Sequence, residues 1–225
     1  MWCIPPKQNA EFAARMEDVL EVYSRPYDEQ RPVVCMDEKP FQLLDEQVKP
    51  IPMSETNHTE KYDCEYERKG PCSIFMFTEP LAGWRNTVAL PSRTAVDWAN
   101  QIKWLVDEQY PDVEKILLVM DNLNTHTVAS LYKAFPPEEA FRIMQKLEIH
   151  YTPKHGSWLD MAEIELSALT RQALQDRRIP SLEELNRILS AWHTERNASQ
   201  KGVDWRFTTS DARIKLKHLY PEVKF

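Results

Sequence analysis

The sequence lacks any long apolar run. None of its 225 residues lie in a stretch approaching the about eighteen uninterrupted apolar residues of a membrane span. The N-terminus also lacks a basic region followed by an apolar one, as a secretion signal would have. We therefore expect a soluble cytoplasmic protein that does not enter a membrane. With 42% hydrophobic residues, the chain is long enough for one substantial core but hardly for two full domains.

Cysteines are few and lack the spacing of a metal site. Cys3, Cys35, Cys64 and Cys72 form no CxxC pair. Cys35 lies inside an apolar run, where a buried thiol is the ordinary explanation. The cysteine pattern therefore argues against a zinc site.

The chain also lacks an excess of positive charge. Its net charge is −7, which by itself argues against a nucleic-acid partner, because phosphate neutralisation favours basic surfaces. The acids are concentrated in the first two thirds, whereas residues 151–225 contain 12 Lys and Arg against 10 Asp and Glu. This distribution weakens the objection to a nucleic-acid partner.

Apolar periodicity predicts alternating strands and helices. Three β-rich runs come first, and the later strands alternate with helices, which predicts an α/β fold with a mixed sheet. The long polar segment 49–69 is predicted to be an irregular excursion. Strands are predicted in VVCMDE (33–38), CSIFMFTEP (72–80), WRNTVALPS (84–92), KILLVMDN (115–122) and EIHYTP (148–153). Helices are predicted over 9–24, 94–110, 127–135, 137–147, 160–174 and 181–197. The packing face of the helix over 160–174 is predicted to consist of Met161, Ile164, Ala168 and Leu169.

Three acidic residues occupy positions that demand an explanation. Asp37 and Asp121 end two buried strands, and Glu163 lies on the helix after the fifth strand, behind Asp160 as the helix N-cap. The three acids converge if the first and fourth strands are neighbours. Like charges in one pocket require a counter-charge, and oxygen ligands without His or Cys favour magnesium or manganese. Two such ions, about 3.5–4 Å apart, can cleave and transfer phosphodiesters.

The same residues carry a resemblance to a known family. The chain resembles the transposases of bacterial insertion sequences related to mariner elements, which belong to the DDE superfamily and have a ribonuclease-H-like fold. The matching segments run in the same order through nearly the whole chain. They are VVCMDEKPFQLL, MFTEPLAGWR, RTAVDWANQIKWLVDEQYP, LVMDNLNTH, HYTPKHGSWLDMAEIELSALTRQAL and WRFTTSDARIKLKHLYP.

The resemblance implies a function and a division of the chain. It assigns Asp37, Asp121 and Glu163 as the catalytic residues and as ligands of two Mg²⁺ ions, which Mn²⁺ can replace. It implies strand cleavage at transposon ends and transfer of the freed 3′-hydroxyl to target DNA, by a homodimer that pairs the two ends. The expected divisions are an N-terminal linker helix (1–30), a ribonuclease-H-like catalytic domain with a five-stranded sheet (31–180) and a C-terminal helical extension (181–225). Members usually carry an N-terminal helix-turn-helix region as well.

Several alternatives stay open at this point. The family usually shows Asn where this chain has Asp160, and Asp160 is the competitor of Glu163 for the third ligand. His126 is either a loop residue or a support of the metal site, and Trp158 either packs in the core or stacks on DNA. The chain is alternatively a non-catalytic remnant that dimerises or associates with DNA, or a different ribonuclease-H-like nuclease.

Overall fold

A computed structural model describes residues 9–48, 63–199 and 201–222, together with residues 51, 53, 54, 58 and 59. Five strands form one sheet in the order β3-β2-β1-β4-β5. The pairs β1–β2 and β2–β3 are antiparallel, whereas β4 runs parallel to both β1 and β5. The predicted mixed sheet is confirmed, as is the pairing of the first and fourth strands. The strands are β1 Val33–Glu46, β2 Tyr66–Glu79, β3 Trp84–Leu90, β4 Ile116–Met120 and β5 Leu147–Tyr151.

The six predicted helices are all present, and their caps explain where most of them start. The Asn9 side chain accepts from the N–H of Phe12, and Thr94 and Asp97 form a capping box. A seventh helix, α7, begins at a second capping box formed by Thr208 and Asp211. The helices are α1 Ala10–Ser24, α2 Ala95–Trp104, α3 Val128–Ala134, α4 Pro137–Gln145, α5 Met161–Leu169, α6 Leu182–Ala198 and α7 Thr209–Lys215. Five-residue π-helical turns extend α2 over Leu105–Gln109 and α5 over Thr170–Leu174.

Strand β1 is much longer than the predicted VVCMDE run. Asp37 is its fifth residue, not its last, and the strand continues through Pro40 to Glu46. Its pairing with β4 ends at Met36, so that beyond this point only β2 pairs with it in the described sheet. A proline is tolerated there because an edge strand has no second neighbour that needs its N–H. The prediction that Asp37 ends the strand was therefore wrong, although Asp37 does lie where the parallel pairing ends.

The sheet separates two hydrophobic cores, and the strands contribute to them alternately. In β1, Val33 and Cys35 face the side covered by α1, α5 and α6, and Val34 and Met36 face the side covered by α2, α3 and α4. This alternation is the two-residue period of a strand that is buried on both faces. It places side chains at odd positions of β1 on the same side of the sheet as α5.

Both ends of the described chain pack into one of these cores. Phe12 and Met16 of α1 belong to the same buried cluster as Leu189 of α6 and Leu216 and Leu219 near the C-terminus. The N–H of Asn9 donates to the carbonyl of Leu219 at 2.9 Å. The three-part division of the chain stays a prediction, but segments from all three parts share this core. None of the described helices is long and apolar enough to cross a membrane.

Two local predictions need correction. Ile164 was expected on the packing face of α5, yet it is 51% exposed, whereas Glu165 is 7% exposed and takes an inward position. The reason is an ion pair between Glu165 and the buried Arg85 of β3, which compensates for the desolvation of both side chains. The excursion predicted over 49–69 ends earlier than expected, because β2 begins at Tyr66. Residues 49, 50, 52, 55–57 and 60–62 of that segment lie outside the described residues.

Candidate active site

The strand register brings Asp37 and Asp121 side by side. Met36 is the partner of Met120 in the parallel pair of β1 and β4, so the next residue of each strand is an aspartate at the same level. Because the parallel pairing of β1 and β4 ends at these methionines, both acids lie at the carboxyl end of that pairing, although β1 itself continues. The side chain of Asp121 is 38% exposed.

Helix α5 supplies the third acid. Asp160 caps this helix, because its Oδ1 atom accepts a hydrogen bond from the N–H of Ala162 at 2.9 Å. Glu163 lies in the first turn and is exposed. The end of α5 is fixed on β1 by a hydrogen bond of 2.7 Å from Lys39 Nζ to Thr170 Oγ1. The helix therefore lies over the strand that carries Asp37.

The acids perturb one another. Burial raises the pKa of Asp37 to about 7, and the negative charges of Asp121, Glu163 and Glu38 act in the same direction. A hydrogen bond from the N–H of Glu38 to Asp37, 2.7 Å long, acts against this rise. The pKa of the fully buried Asp160 is raised far above its ordinary value by burial and by the charges of Asp37, Asp121 and Glu163. Asp37 and Asp160 thus share one electrostatic site with Asp121 and Glu163.

A buried histidine completes this site, in a role that the sequence pattern left undecided. His126 Nδ1 lies 2.5 Å from Oδ1 of Asp121, and Nε2 lies 2.9 Å from Oε1 of Glu38. Burial lowers the pKa of His126, but its hydrogen bonds and its proximity to the two acids outweigh that effect and raise it to about 9. No spacing rule connects Glu38 with His126, which are 88 positions apart. Only the pairing of β1 with β4 brings them together.

The donor set fits a hard divalent cation, although the side chains have not converged on one. Carboxylate oxygens are the ligands that magnesium and manganese prefer, and the raised pKa of Asp37 is what a cation between these acids would reverse. As they stand, no three or more His, Cys, Asp or Glu side chains of the described residues are arranged to hold a metal ion. Cys35 and Cys72 are buried free thiols, and Cys3 lies outside the described residues.

A cavity of about 570 Å³ opens beside Asp121. Asn122, Arg15 of α1 and the loop between β5 and α5, with Lys154 and His155, line it. His155 has a φ of +67°, a left-handed conformation that histidine adopts more readily than most residues. The cavity therefore combines an acidic wall with basic side chains.

Trp158 does not line this cavity. It is 8% exposed and packs edge-on against Phe207, with ring centroids 5.8 Å apart. Of the two interpretations of this tryptophan, core packing is the one that the structure favours.

Most of the arginines in the C-terminal third are paired with acids. Arg178 contacts Glu46, Arg206 lies 2.8 Å from Asp204, and Arg213 lies 2.7 Å from Glu17. Arg171 and Arg177 form no salt bridge within the part of the chain that the structure describes. The net positive charge of residues 151–225 is therefore not concentrated in one unpaired surface.

Comparisons with known proteins identify the family and the fold. Residues 32–186 match the family described as DDE superfamily endonuclease. The search of curated proteins gave no match. The fold is similar to the catalytic domain of Mos1 mariner transposase, with a TM-score of 0.55, 14% identity, and coverage of 90% of this chain and 100% of that one.

Two DNA complexes of the same transposase have the same fold. The Mos1 mariner paired end complex with Mn gives a TM-score of 0.56 at 15% identity, over 88% of this chain and 60% of that one. The Mos1 transposase paired-end complex with left transposon end gives 0.57 at 15% identity, over 97% and 66%. The chain thus spans about 60% of the transposase in the first of these complexes. At this level of identity the similarity establishes the ribonuclease-H-like fold alone.

Proposed function

Since the chain belongs to the DDE superfamily endonuclease family, we propose that it is the catalytic part of a cut-and-paste DNA transposase. Asp37, Asp121 and Glu163 are its catalytic residues. The observation that carries the proposal is the pairing of Met36 with Met120, which delivers two aspartates to one sheet edge beneath the helix of the third acid.

The proposed catalytic residues would hold two divalent cations, Mg²⁺ or Mn²⁺. Carboxylate ligands and the electrostatic coupling of Asp37 with Asp121 and Glu163 support this assignment. When bound, such a pair of ions activates a water or a sugar hydroxyl and stabilises the departing oxygen of the phosphodiester. The chain's own contribution is to fix the three carboxyl groups on two strands and one helix. Asp160 would remain outside the ligand set as the cap of that helix.

The DNA strand would approach through the cavity beside Asp121. Arg15, Lys154 and His155 line it and offer donors for phosphate oxygens, and Asp121 is the proposed catalytic residue that shares this lining. This arrangement answers the objection raised by the net charge of −7, because phosphate contacts are needed only along the bound strand. A homodimer would process two transposon ends together; Mos1 transposase, which has a similar fold, forms paired-end complexes.

A nicking assay with matched variants tests the proposal. The purified chain is incubated with supercoiled plasmid in Mg²⁺ or Mn²⁺, and nicking is followed on gels. We expect nicking that EDTA abolishes and that Asp37→Asn, Asp121→Asn and Glu163→Gln each reduce by about 100-fold or more, because a lost ligand removes the stabilisation of the reacting oxygens.

The chain offers a close control for Asp37→Asn. Asp45 lies on the same strand, and its Oδ1 atom accepts from the N–H of the next residue at 2.9 Å, just as that of Asp37 does at 2.7 Å. Asp45→Asn should nick like the wild type. Nicking that survives all three catalytic substitutions, or that fails with both metals, contradicts the proposal. Failure with both metals would favour a non-catalytic module.

The substrate class requires a second comparison. A duplex that carries terminal inverted repeats, a duplex of unrelated sequence and an RNA–DNA hybrid are offered at equal concentrations. Cleavage at the repeat ends, with joining of the 3′-hydroxyl to a second duplex, is the expected result. Preferred cleavage of the hybrid would instead indicate another ribonuclease-H-like nuclease.

A further inference from the structure

His126 is held rigidly although it follows an exposed loop. Its side chain is fully buried and lies parallel to the ring of Trp98, with centroids 6.0 Å apart. Its N–H donates to the carbonyl of Leu123 at 2.9 Å, and its carbonyl accepts from the hydroxyl of Tyr151 at 2.9 Å. The ring is therefore fixed by its own backbone and by its stacking partner.

The two ring nitrogens of His126 both contact carboxylates. Nδ1 lies 2.5 Å from Asp121 Oδ1, and Nε2 lies 2.9 Å from Glu38 Oε1. Each ring nitrogen thus lies within hydrogen-bond distance of a carboxylate oxygen. A single ring thus connects strand β1 with the loop that follows β4.

The Glu38 side chain makes no hydrogen bond within the described residues other than this contact with His126. Its side chain is 1% exposed, and its Oε2 atom is buried without a hydrogen-bond partner among the described residues. A carboxylate buried in this way is costly unless a donor compensates for its desolvation. The bond to His126 is the compensation that the structure provides.

Asp121 has a different environment at each of its oxygens. Oδ1 is bound by His126, whereas Oδ2 has no hydrogen bond within the described residues, and the side chain remains 38% exposed. Hydrogen bonds from an outer ring of side chains orient the carboxylates and histidines that ligate metal ions in proteins. The contact at Oδ1 therefore sets the direction in which Oδ2 points.

We propose that Glu38 and His126 form a clamp that positions Asp121, so that Oδ2 is presented to a divalent cation shared with Asp37 and Glu163. The clamp rests on the proposed function, because it has no purpose without a cation. Glu38 and Asp37 are consecutive residues of β1, so the clamp fixes Asp121 relative to Asp37 through the backbone of that strand. His126 is accordingly a positioning residue and touches neither metal nor substrate.

The test measures metal binding directly, without DNA. Mn²⁺ is titrated into the full chain, and free Mn²⁺ is followed by electron paramagnetic resonance. We expect His126→Asn to weaken Mn²⁺ binding by about 10- to 100-fold, the usual effect of losing such an outer contact. Glu38→Gln should fall between the wild type and His126→Asn, because the Gln oxygen still accepts from Nε2. In the nicking assay, His126→Asn should raise the Mn²⁺ concentration needed for half-maximal rate more than it lowers the maximal rate.

His150 is a matched control. It is also nearly buried and bridges two acids, with Nδ1 2.8 Å from Asp18 and Nε2 3.2 Å from Glu148, but it does not contact the proposed ligands. His150→Asn should bind Mn²⁺ like the wild type. If His126 has a purely structural role, His126→Asn will lower the melting temperature of the protein without changing its Mn²⁺ affinity. That result overturns the clamp.

Two further outcomes distinguish a failure of the clamp from a failure of the proposed function. If the wild type binds Mn²⁺ and Asp121→Asn does not, but both His126→Asn and Glu38→Gln bind normally, the clamp fails and the proposed function stands. If wild type, Asp37→Asn and Asp121→Asn all bind Mn²⁺ equally weakly, the proposed function fails and the clamp fails with it. Glu38→Gln keeps the shape of the buried side chain, so the test survives if His126→Asn does not fold.

Discussion

At the scale of one residue, burial also controls the pKa of Glu79, a carboxyl group outside the proposed catalytic residues. It ends β2 and is 5% exposed. The hydroxyl of Tyr110 donates to Oε2 at 2.7 Å, whereas Oε1 is buried without a hydrogen-bond partner in the described part of the chain. Burial raises the pKa of Glu79, and the bond from Tyr110 only partly offsets this.

This raised pKa predicts a pH-dependent effect of Glu79→Gln. The folded state holds the proton more tightly than the unfolded state, so the stability that protonated Glu79 contributes is present at low pH and is lost as the pH rises through its folded pKa. The variant has no such loss, so its free energy of unfolding should rise relative to that of the wild type between about pH 4.5 and 8. Urea unfolding at both pH values measures the difference.

An exposed glutamate of the same strand is the control for this prediction. Glu67 pairs with Lys69, and its side chain is 56% exposed. Glu67→Gln should differ from the wild type by a similar amount at both pH values. A pH-independent effect of Glu79→Gln would show that folding does not raise the pKa of this carboxyl group.

At the residue scale, the sequence predicts side-chain roles that depend on neighbouring residues. It does not predict roles that depend on contacts with residues distant in the chain. Asp37 and Asp121 stand out because acids adjoining apolar runs are unusual, and Asp160 was recognised as a cap from its position before the helix. The exposure of Ile164 could not be predicted, because the inward turn of Glu165 depends on Arg85, 80 residues earlier in the chain. The contact of His126 with Glu38 is hidden for the same reason.

At the scale of elements, a buried ion pair joins β3 to α5. Arg85 Nε and Glu165 Oε2 lie 3.2 Å apart, and their side chains are 2% and 9% exposed. Arg85 also donates to the carbonyls of Gly83 and Lys201, and Arg196 of α6 donates to Glu165 at 3.1 Å. The network fixes the helix that carries Glu163 against the strand at the edge of the sheet.

Removing one partner of this network should be costly. Arg85→Met leaves the Glu165 carboxylate buried without its main counter-charge, and we expect a loss of about 3–5 kcal/mol in the free energy of unfolding. Arg187→Met breaks an exposed pair with Glu184, 73% and 38% exposed, and should cost less than about 1 kcal/mol. Chemical denaturation of both variants checks the contrast, and equal losses would contradict it. Arg85→Met combined with Glu165→Leu should recover part of the stability, because no uncompensated charge remains.

Element boundaries were predictable where local signals set them. The capping residues Asn9, Thr94, Asp160 and Ser181 all begin helices. The end of β1 was not predictable, because Pro40 normally interrupts a strand and becomes acceptable only where β4 has stopped. The start of β2 was missed because Tyr66 to Lys69 are exposed and polar, and such residues carry no apolar alternation.

At the scale of the whole molecule, the first and last described helices hold each other in place. Arg213 of α7 forms a salt bridge of 2.7 Å with Glu17 of α1, and Leu216 is 7% exposed in the core that contains Met16. A division at residue 180 therefore does not separate two independent cores. The C-terminal residues should contribute to the stability of the whole chain.

Two neighbouring substitutions test this contribution. Leu216→Ala should cost about 2–5 kcal/mol, since it leaves a cavity in a packed core, and the protein should still unfold in one transition. Ile214→Ala, two positions away and 77% exposed, should change stability by less than about 0.5 kcal/mol. Calorimetry distinguishes the cases. Two separate transitions for Leu216→Ala would indicate that the C-terminal segment behaves as an extension of its own.

Met36 and Met120 are partners in the parallel pair of β1 and β4. This register limits where residues can be inserted without moving Asp37 relative to Asp121. An insertion of a single residue before Asp37 in β1 would turn the Asp37 side chain to the opposite face of the sheet, since side chains alternate along a strand. The same insertion in a connecting loop would move neither aspartate. Lengthening is thus tolerated between elements. Natural variants of this protein should differ in their loops while keeping the residue count of β1 up to Asp37 and of β4 up to Asp121.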